Sequence, residues 1–315
     1  MINKIPFMLL LIAAILSACA SKPITSIPAF RAGLRSSSYG PQEPFPDPDY
    51  WVNTSKAMSA LFANSTPAIV WIVGEIQFEG TSGKGGLNFP IPTGKKAEDY
   101  PNIVFSEEDK NEEYLKRFDE SGVKVWLQIE PGDGDVPAQI DLILQRYSTH
   151  PCVIGFGIDV EWYKWDEKSS PEGTAVTDPE AQAWSEKVRL YNPNYLLFLK
   201  HWLVEKMPPT YRSGIMFLDD SQEFTDLTSM VDEFKVWGES FAPAPVGFQY
   251  GYDADQPWWD QLSNPPEDIG QAILDKVPNT TDLYWVDFTM EHIWPRVKTL
   301  NAPTMLRRAE TGTTC

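Results

Sequence analysis

The 315-residue sequence has little of what builds disulfide frameworks or transition-metal sites: three cysteines (Cys19, Cys152, Cys315) and three histidines (His150, His201, His292). Cysteines so few and so far apart cannot staple a fold. No two histidines stand at the H-x-x-x-H spacing that sets two imidazoles on one helix face, so the expectation is a fold without metal or cofactor. Basic residues are scarce too, 26 Lys and Arg against 44 Asp and Glu, for a formal charge of -18. A surface this acidic repels phosphate backbones and anionic head groups, which argues against nucleic acid as a partner.

Apolar runs long enough to cross a bilayer are missing as well. The run Ile5 to Leu16 (IPFMLLLIAAIL) follows Lys4 and falls short of the roughly 20 residues a spanning helix needs, so residues 1–18 read as a signal peptide. It ends in Leu16-Ser17-Ala18-Cys19, which resembles the lipobox of bacterial lipoproteins. The alternative is an ordinary signal peptide with an incidental cysteine. The lipobox implies that Cys19 is diacylated and that the chain meets a membrane only through this anchor. Ala20 and Ser21, with no Asp beside the cysteine, resemble the signal for an outer membrane or cell surface. Residues 19–48, rich in Ser, Pro and Gly without period, read as a tether. The aperiodic residues 301–315 read as a tail in which Cys315 has no assigned role.

What the chain does have is apolar and aromatic mass: 42% hydrophobic residues and 13% aromatic, with 12 Trp, 12 Tyr and 16 Phe. That is enough for one large core over residues 49–300. Eight short β-branched or aromatic runs punctuate this stretch, at 68–76, 102–106, 124–130, 153–163, 195–202, 214–221, 245–252 and 282–289. Amphipathic stretches with apolar residues three and four apart separate most of them. Some open at a helix-starting pair such as Asp135 and Pro137, or Asp178 and Pro179. The pattern predicts an α/β fold, a single (β/α)8 barrel, with a doubly wound open sheet as the alternative.

In either fold chemistry belongs at the carboxyl ends of the strands, and there the runs turn polar. Glu75 ends the first, Gln128 and Glu130 the third, Asp159 and Glu161 the fourth, Lys200 and His201 the fifth, Asp219 and Asp220 the sixth, Gln249 and Tyr250 the seventh, and Asp287 the eighth. Any one such residue is ordinary wet rim; the concentration of carboxylates is the signal. In the fourth run, GFGIDVEWY, a period of two puts Phe156, Ile158, Val160 and Trp162 on one face. Gly155, Gly157, Asp159, Glu161 and Tyr163 share the other. Carboxylates two apart on a strand stand roughly 6 to 7 Å apart at their Cα atoms. Their repulsion in a partly buried pocket raises one pKa and leaves an acid beside an ionised partner, the pair that glycosidic bond cleavage uses. The plain alternative is two rim carboxylates bonded to neighbours such as Lys164.

Gly122-Val-Lys-Val-Trp-Leu-Gln-Ile-Glu130 and GFGIDVEWY together resemble the third and fourth strands of the chitinase-like family 18 glycoside hydrolases. Trp285 in LYWVDFT sits where that family carries a sugar-flooring Trp. The resemblance implies a barrel glycosidase with Glu161 as general acid/base, Asp159 beside it and Glu130, Asp220 or Asp287 as a further carboxylate. It also implies that the substrate's own N-acetyl group acts as nucleophile, positioned by Asp159 and Tyr250. Aligned without a gap on Gly-Ile-Asp, the family motif places its catalytic Glu on Tyr163; shifted by two, it keeps Asp159 and Glu161 but loses two earlier Asp. Family 25 lysozymes share an Asp-x-Glu on strand four.

Residues expected to bind sugar are Glu75, Gln128, Tyr163, Lys200, Trp202, Asp220, Gln249, Tyr250, Trp285 and Asp287, since rings stack on sugar faces and polar groups meet hydroxyls. The D-x-D pairs Asp133/Asp135 and Asp253/Asp255 read as acidic loop residues, Asp135 as a helix cap, and Cys152 as a small buried apolar residue. Three readings stay open: a surface-anchored glycoside hydrolase acting on a carbohydrate, a glycan-binding barrel without catalysis, and a structural barrel with an inert rim.

Overall fold

Alternation along the strands divides the apolar side chains into two cores, one inside a closed barrel and one between the barrel and its helices. In the computed structural model, which describes residues 30–296, the chain opens with β1 (Arg31–Arg35), α1 (Pro48–Ala60), β2 (Thr66–Glu79), β3 (Ser82–Leu87) and β4 (Ile103–Phe105). Then come α2 (Glu112–Ser121), β5 (Lys124–Ile129), α3 (Val136–Tyr147), β6 (Val153–Asp159), α4 (Asp178–Tyr191), β7 (Leu196–Lys200) and β8 (Ile215–Asp219). The last elements are α5 (Leu227–Phe241), β9 (Val246–Tyr250), α6 (Gln256–Trp259), α7 (Pro265–Lys276), β10 (Thr280–Val286) and α8 (Met290–Ile293).

Eight of these strands run parallel in the order β1, β2, β5, β6, β7, β8, β9, β10, and β1 pairs with both β2 and β10. That closure excludes the open sheet and gives the expected (β/α)8 barrel. Seven of its strands fall on runs read from the sequence, five within their bounds and β2 and β10 overlapping them. The first does not: Arg31–Arg35 falls within residues 19–48, so the tether expectation fails from about residue 31 and the barrel begins before residue 49. The run 102–106 is not a barrel strand. β2 is 14 residues long, and its outer half leaves the barrel to pair with antiparallel β3, which in turn pairs with β4. The signal peptide, Cys19 and the tail at 301–315 lie outside the described residues.

The two helix starts read at Asp135–Pro137 and Asp178–Pro179 are found, the second with Thr177 as its cap. Asp135 accepts from Ala138 N at 2.9 Å at the start of α3, and Thr177 and Glu180 form a reciprocal capping box on α4. The β7–β8 crossover has no α-helix, only the single turn Val204–Lys206. The barrel interior holds Ala68, Val70, Trp126, Phe198, Met216, Leu218 and Tyr284, while Phe156, Ile158 and Val160 join the larger outer core. Low in the barrel the register sets Arg31 opposite Asp282. That carboxylate accepts from Arg31 Nε and Nη2, both at 2.7 Å, and from Tyr284, Thr281 and Trp126. Inward-facing charge on β1 is thereby satisfied by the last strand.

Candidate active site at the barrel mouth

The register of β6 against β7 sets Asp159 opposite Lys200, both pointing inward at the carboxyl end. Lys200 Nζ lies 2.7 Å from Asp159 Oδ2 and 2.5 Å from Asp220 Oδ2. Asp220 comes from the end of β8, where Met216 and Leu218 already face inward and the alternation continues. Gln128 Nε2 donates to Asp159 Oδ2 at 3.5 Å. Burial raises the Asp159 carboxyl, Lys200 opposes the shift, and Asp220 and Glu130 add to it, leaving it at about 7. Burial alone lowers the Lys200 ammonium, but Asp159 and Asp220 together hold it well above its ordinary value, so it stays charged.

Glu161 reaches the site by a different route from the one the period of two predicts. β6 stops at Asp159 and the chain tightens into a 3₁₀ turn over Val160–Trp162, so the strand alternation ends before Glu161. From that turn Glu161 lines a cavity of about 380 Å³ with Trp202, Asp220, Glu223 and Glu233 among its walls. Burial, then the charges of Asp159, Asp220 and Glu130 against the partial offset of Lys200, push its carboxyl up to about 8. It therefore keeps its proton at neutral pH. Asp220 keeps one buried oxygen, Oδ1, without a hydrogen-bond partner among the described residues.

The loop after β1 closes the other half of the mouth. Tyr39 Oη accepts from Arg35 at 2.7 Å and donates to Glu130 at 2.7 Å, while Ile76 N donates to the second Glu130 oxygen at 3.0 Å. Burial raises the Glu130 carboxyl against these bonds. Ser38 donates twice to Glu75, from N at 2.8 Å and Oγ at 2.6 Å. Asp287 accepts from Ser37 N and Oγ and pairs with Arg35 at 3.2 Å. Three of the expected acidic residues are thus engaged in holding this loop, and Glu161 and Asp220 are left facing the cavity.

Three expected sugar-binding rings point away. Tyr163 donates to Glu180 at 2.7 Å and packs edge-on against Trp184. Tyr250 shares the outward face of β9 with Phe248 and donates to Pro266 O at 2.9 Å, and Trp285 packs edge-on against Tyr250 and Trp259 beneath the helices. Parity decides this: Gln249 is the inward residue of its strand and accepts from Tyr252 at 3.3 Å. Asp255 is buried and accepts from Phe224 N at 2.7 Å, so it ties the loop after β9 to the loop after β8. Cys152 is buried against Leu115 O, as a small apolar residue would be. The sequence reading missed Arg35, Tyr39, Glu223 and Glu233. The alternation of charge in Arg31-Ala-Gly-Leu-Arg35 was the one available signal for the first of these.

No family model and no curated protein matches the chain. Among solved structures, a provisionally assigned alpha-L-fucosidase from Bacteroides thetaiotaomicron is 9% identical over 89% of this chain and 96% of its own, with a TM-score of 0.54. A beta-glucuronidase from an uncultured Clostridium is 10% identical over 82% of this chain and 44% of its own, with a TM-score of 0.47. A broad-specificity endoglucanase from an uncultured bacterium is 10% identical over 87% and 92%, with a TM-score of 0.44. At these identities the likeness to the first shows a shared barrel fold.

Proposed function

We propose that the protein is a glycoside hydrolase of the TIM-barrel type, cleaving a poly- or oligosaccharide with Glu161 as proton donor and Asp220 as the second carboxylate. The observation that carries this reading is that Glu161, protonated at neutral pH, and Asp220, ion-paired to Lys200, line one cavity at the carboxyl ends of the strands. Glu161 protonates the leaving glycosidic oxygen. The Asp220 carboxylate steadies or attacks the developing oxocarbenium ion, and water supplies the hydroxyl to the anomeric carbon and returns the proton. Asp159 acts through its charge, which helps keep the Glu161 proton in place.

Aromatic surface supports a sugar ligand. Trp202 lines the cavity, and Trp162, next to Glu161 in the chain, clusters with Trp165 and with Phe78, which stands edge-on to both and is 62% exposed. The fold it shares with the provisionally assigned fucosidase agrees with this reading. The substrate-assisted route implied by the chitinase-like resemblance has less support, because Tyr250 and Trp285 face the outer core. We also propose that the protein is exported and anchored through Cys19; Cys19→Ala should abolish incorporation of labelled fatty acid in a bacterial host.

A second reading, glycan capture without turnover, draws on the loop that engages Glu75, Glu130 and Asp287. Glu161→Gln separates the two. It keeps size and hydrogen bonding but removes the proton, so hydrolysis of a saccharide panel should fall by about 10² to 10⁴-fold with binding retained. A parent protein that binds glycans yet cleaves none supports capture, and full activity in the variant places the acid elsewhere.

A further inference from the structure

We propose that the cavity beside Glu161 selects a saccharide bearing a free amine, whose ammonium is held among Asp220, Glu223 and Glu233 with Trp202 alongside. The inference rests on the carbohydrate reading above and adds the class of sugar. Its first support is charge. Lys200 is shared between two carboxylates, Asp159 and Asp220, and is devoted to neither. Glu223 and Glu233 form no ion pair among the described residues, although they line the same cavity. Carboxylates of one sign gathered around one cavity give it a negative potential that attracts a cation.

The second support is the orphaned acceptor. Asp220 is 6% exposed, one of its oxygens is bound to Lys200, and the other, Oδ1, is buried without a partner among the described residues. Buried polar atoms are normally satisfied, so Asp220, which lines this cavity, has acceptor capacity left for an N–H donor. An acetylated nitrogen is neutral and brings one donor. An ammonium brings three and a charge.

A bare metal ion fits less well. Only Asp119, His150 and Cys152, at the foot of the barrel, bring three ligand atoms within 4.8 Å of one another among the described residues. The carboxylates of the cavity are spread around it, which suits a ligand of several atoms carrying one charge. Trp202 offers a ring to the sugar face or to the cation itself, and the ring of His201 lies beside it with centroids 4.2 Å apart.

The test is calorimetric titration of the full chain with glucosamine tetrasaccharide and with N-acetylglucosamine tetrasaccharide at low salt. The amine form should bind at least about tenfold tighter, an advantage that shrinks as salt is added. Glu223→Gln/Glu233→Gln changes two exposed side chains without changing their size and should bring the two ligands to within about twofold. Equal or reversed affinities in the parent, or a preference that survives in the variant, overturn the amine proposal and leave the carbohydrate reading standing. No binding to these or to neutral oligosaccharides overturns that reading itself.

Discussion

Replacing Arg31 by Met should unfold the protein far more readily than its place near the start of the described chain suggests. The guanidinium supplies two of the five hydrogen bonds reaching Asp282, both at 2.7 Å, and lies 5.3 Å from the Trp126 ring centroid. The Asp282 side chain is fully buried and that of Arg31 10% exposed. Met fills the volume but strands a carboxylate inside the barrel. Two lost charge-assisted bonds at about 1.5 to 3 kcal/mol each agree with the roughly 3 to 5 kcal/mol seen when one partner of a buried pair is removed. About 4 kcal/mol in a domain of this size lowers Tm by about 8 °C. Urea unfolding followed by tryptophan fluorescence measures it directly, since Trp126 touches the pair. Adding Asp282→Asn to Arg31→Met removes the stranded charge while keeping an acceptor for Trp126 and Tyr284, so the double variant should be more stable than Arg31→Met. A single variant within about 1 kcal/mol of the parent, or a double variant no better than the single, would refute the idea that this pair closes the barrel.

Two further outcomes follow from the mouth. Glu161 rises from an ordinary 4.5 to about 8 on folding, so the folded state holds that proton more tightly; unfolding free energy should fall as pH climbs through this window, and turnover should decline above about pH 8. Glu161→Gln should make the stability curve less steep, leaving the contributions of Asp159, Asp219, Glu130 and Asp287, whose carboxyls burial also raises, and parallel curves for parent and variant would contradict the assignment. Gly251 has φ +90, and a Cβ there would meet the Trp285 ring, so Gly251→Ala should cost at least about 2 kcal/mol in urea unfolding. A wild-type midpoint would show that the turn after β9 can relax.

The sequence disclosed the barrel through repetition, since seven parallel strands each carry a local apolar signature that needs no knowledge of their partners. β1 carries none: it is five residues long, two of them charged and one glycine. Its arginines make sense only opposite Asp282 and Asp287, some 250 positions away. Strand 102–106 was apolar enough to be read as barrel, but the length of β2, which decides where β4 pairs, leaves no mark in composition. At the site, Asp159, Lys200 and Asp220 followed from strand ends and parity. Parity also disqualifies Tyr250 and Trp285 once the inward residue of each strand is known, and the 3₁₀ turn after Asp159 shows where parity ceases to apply. The loop that engages Glu75, Glu130 and Asp287 was not legible, because Ser and Tyr in a Pro-rich stretch look alike whether they cap carboxylates or lie in solvent.

The pairing of β1 with both β2 and β10 has a consequence for biosynthesis. The strand that leaves the ribosome first of the eight finds one neighbour soon afterwards, yet its other edge must wait until β10 has been made. Loop closure over that distance is slow, and an unfinished barrel exposes two strand edges to other nascent chains. Arg31 and Arg35 suit the interval: on an edge still open, two unpaired cations discourage association with a foreign strand. The same two side chains find their carboxylates, Asp282 and Asp287, only when the last strand arrives.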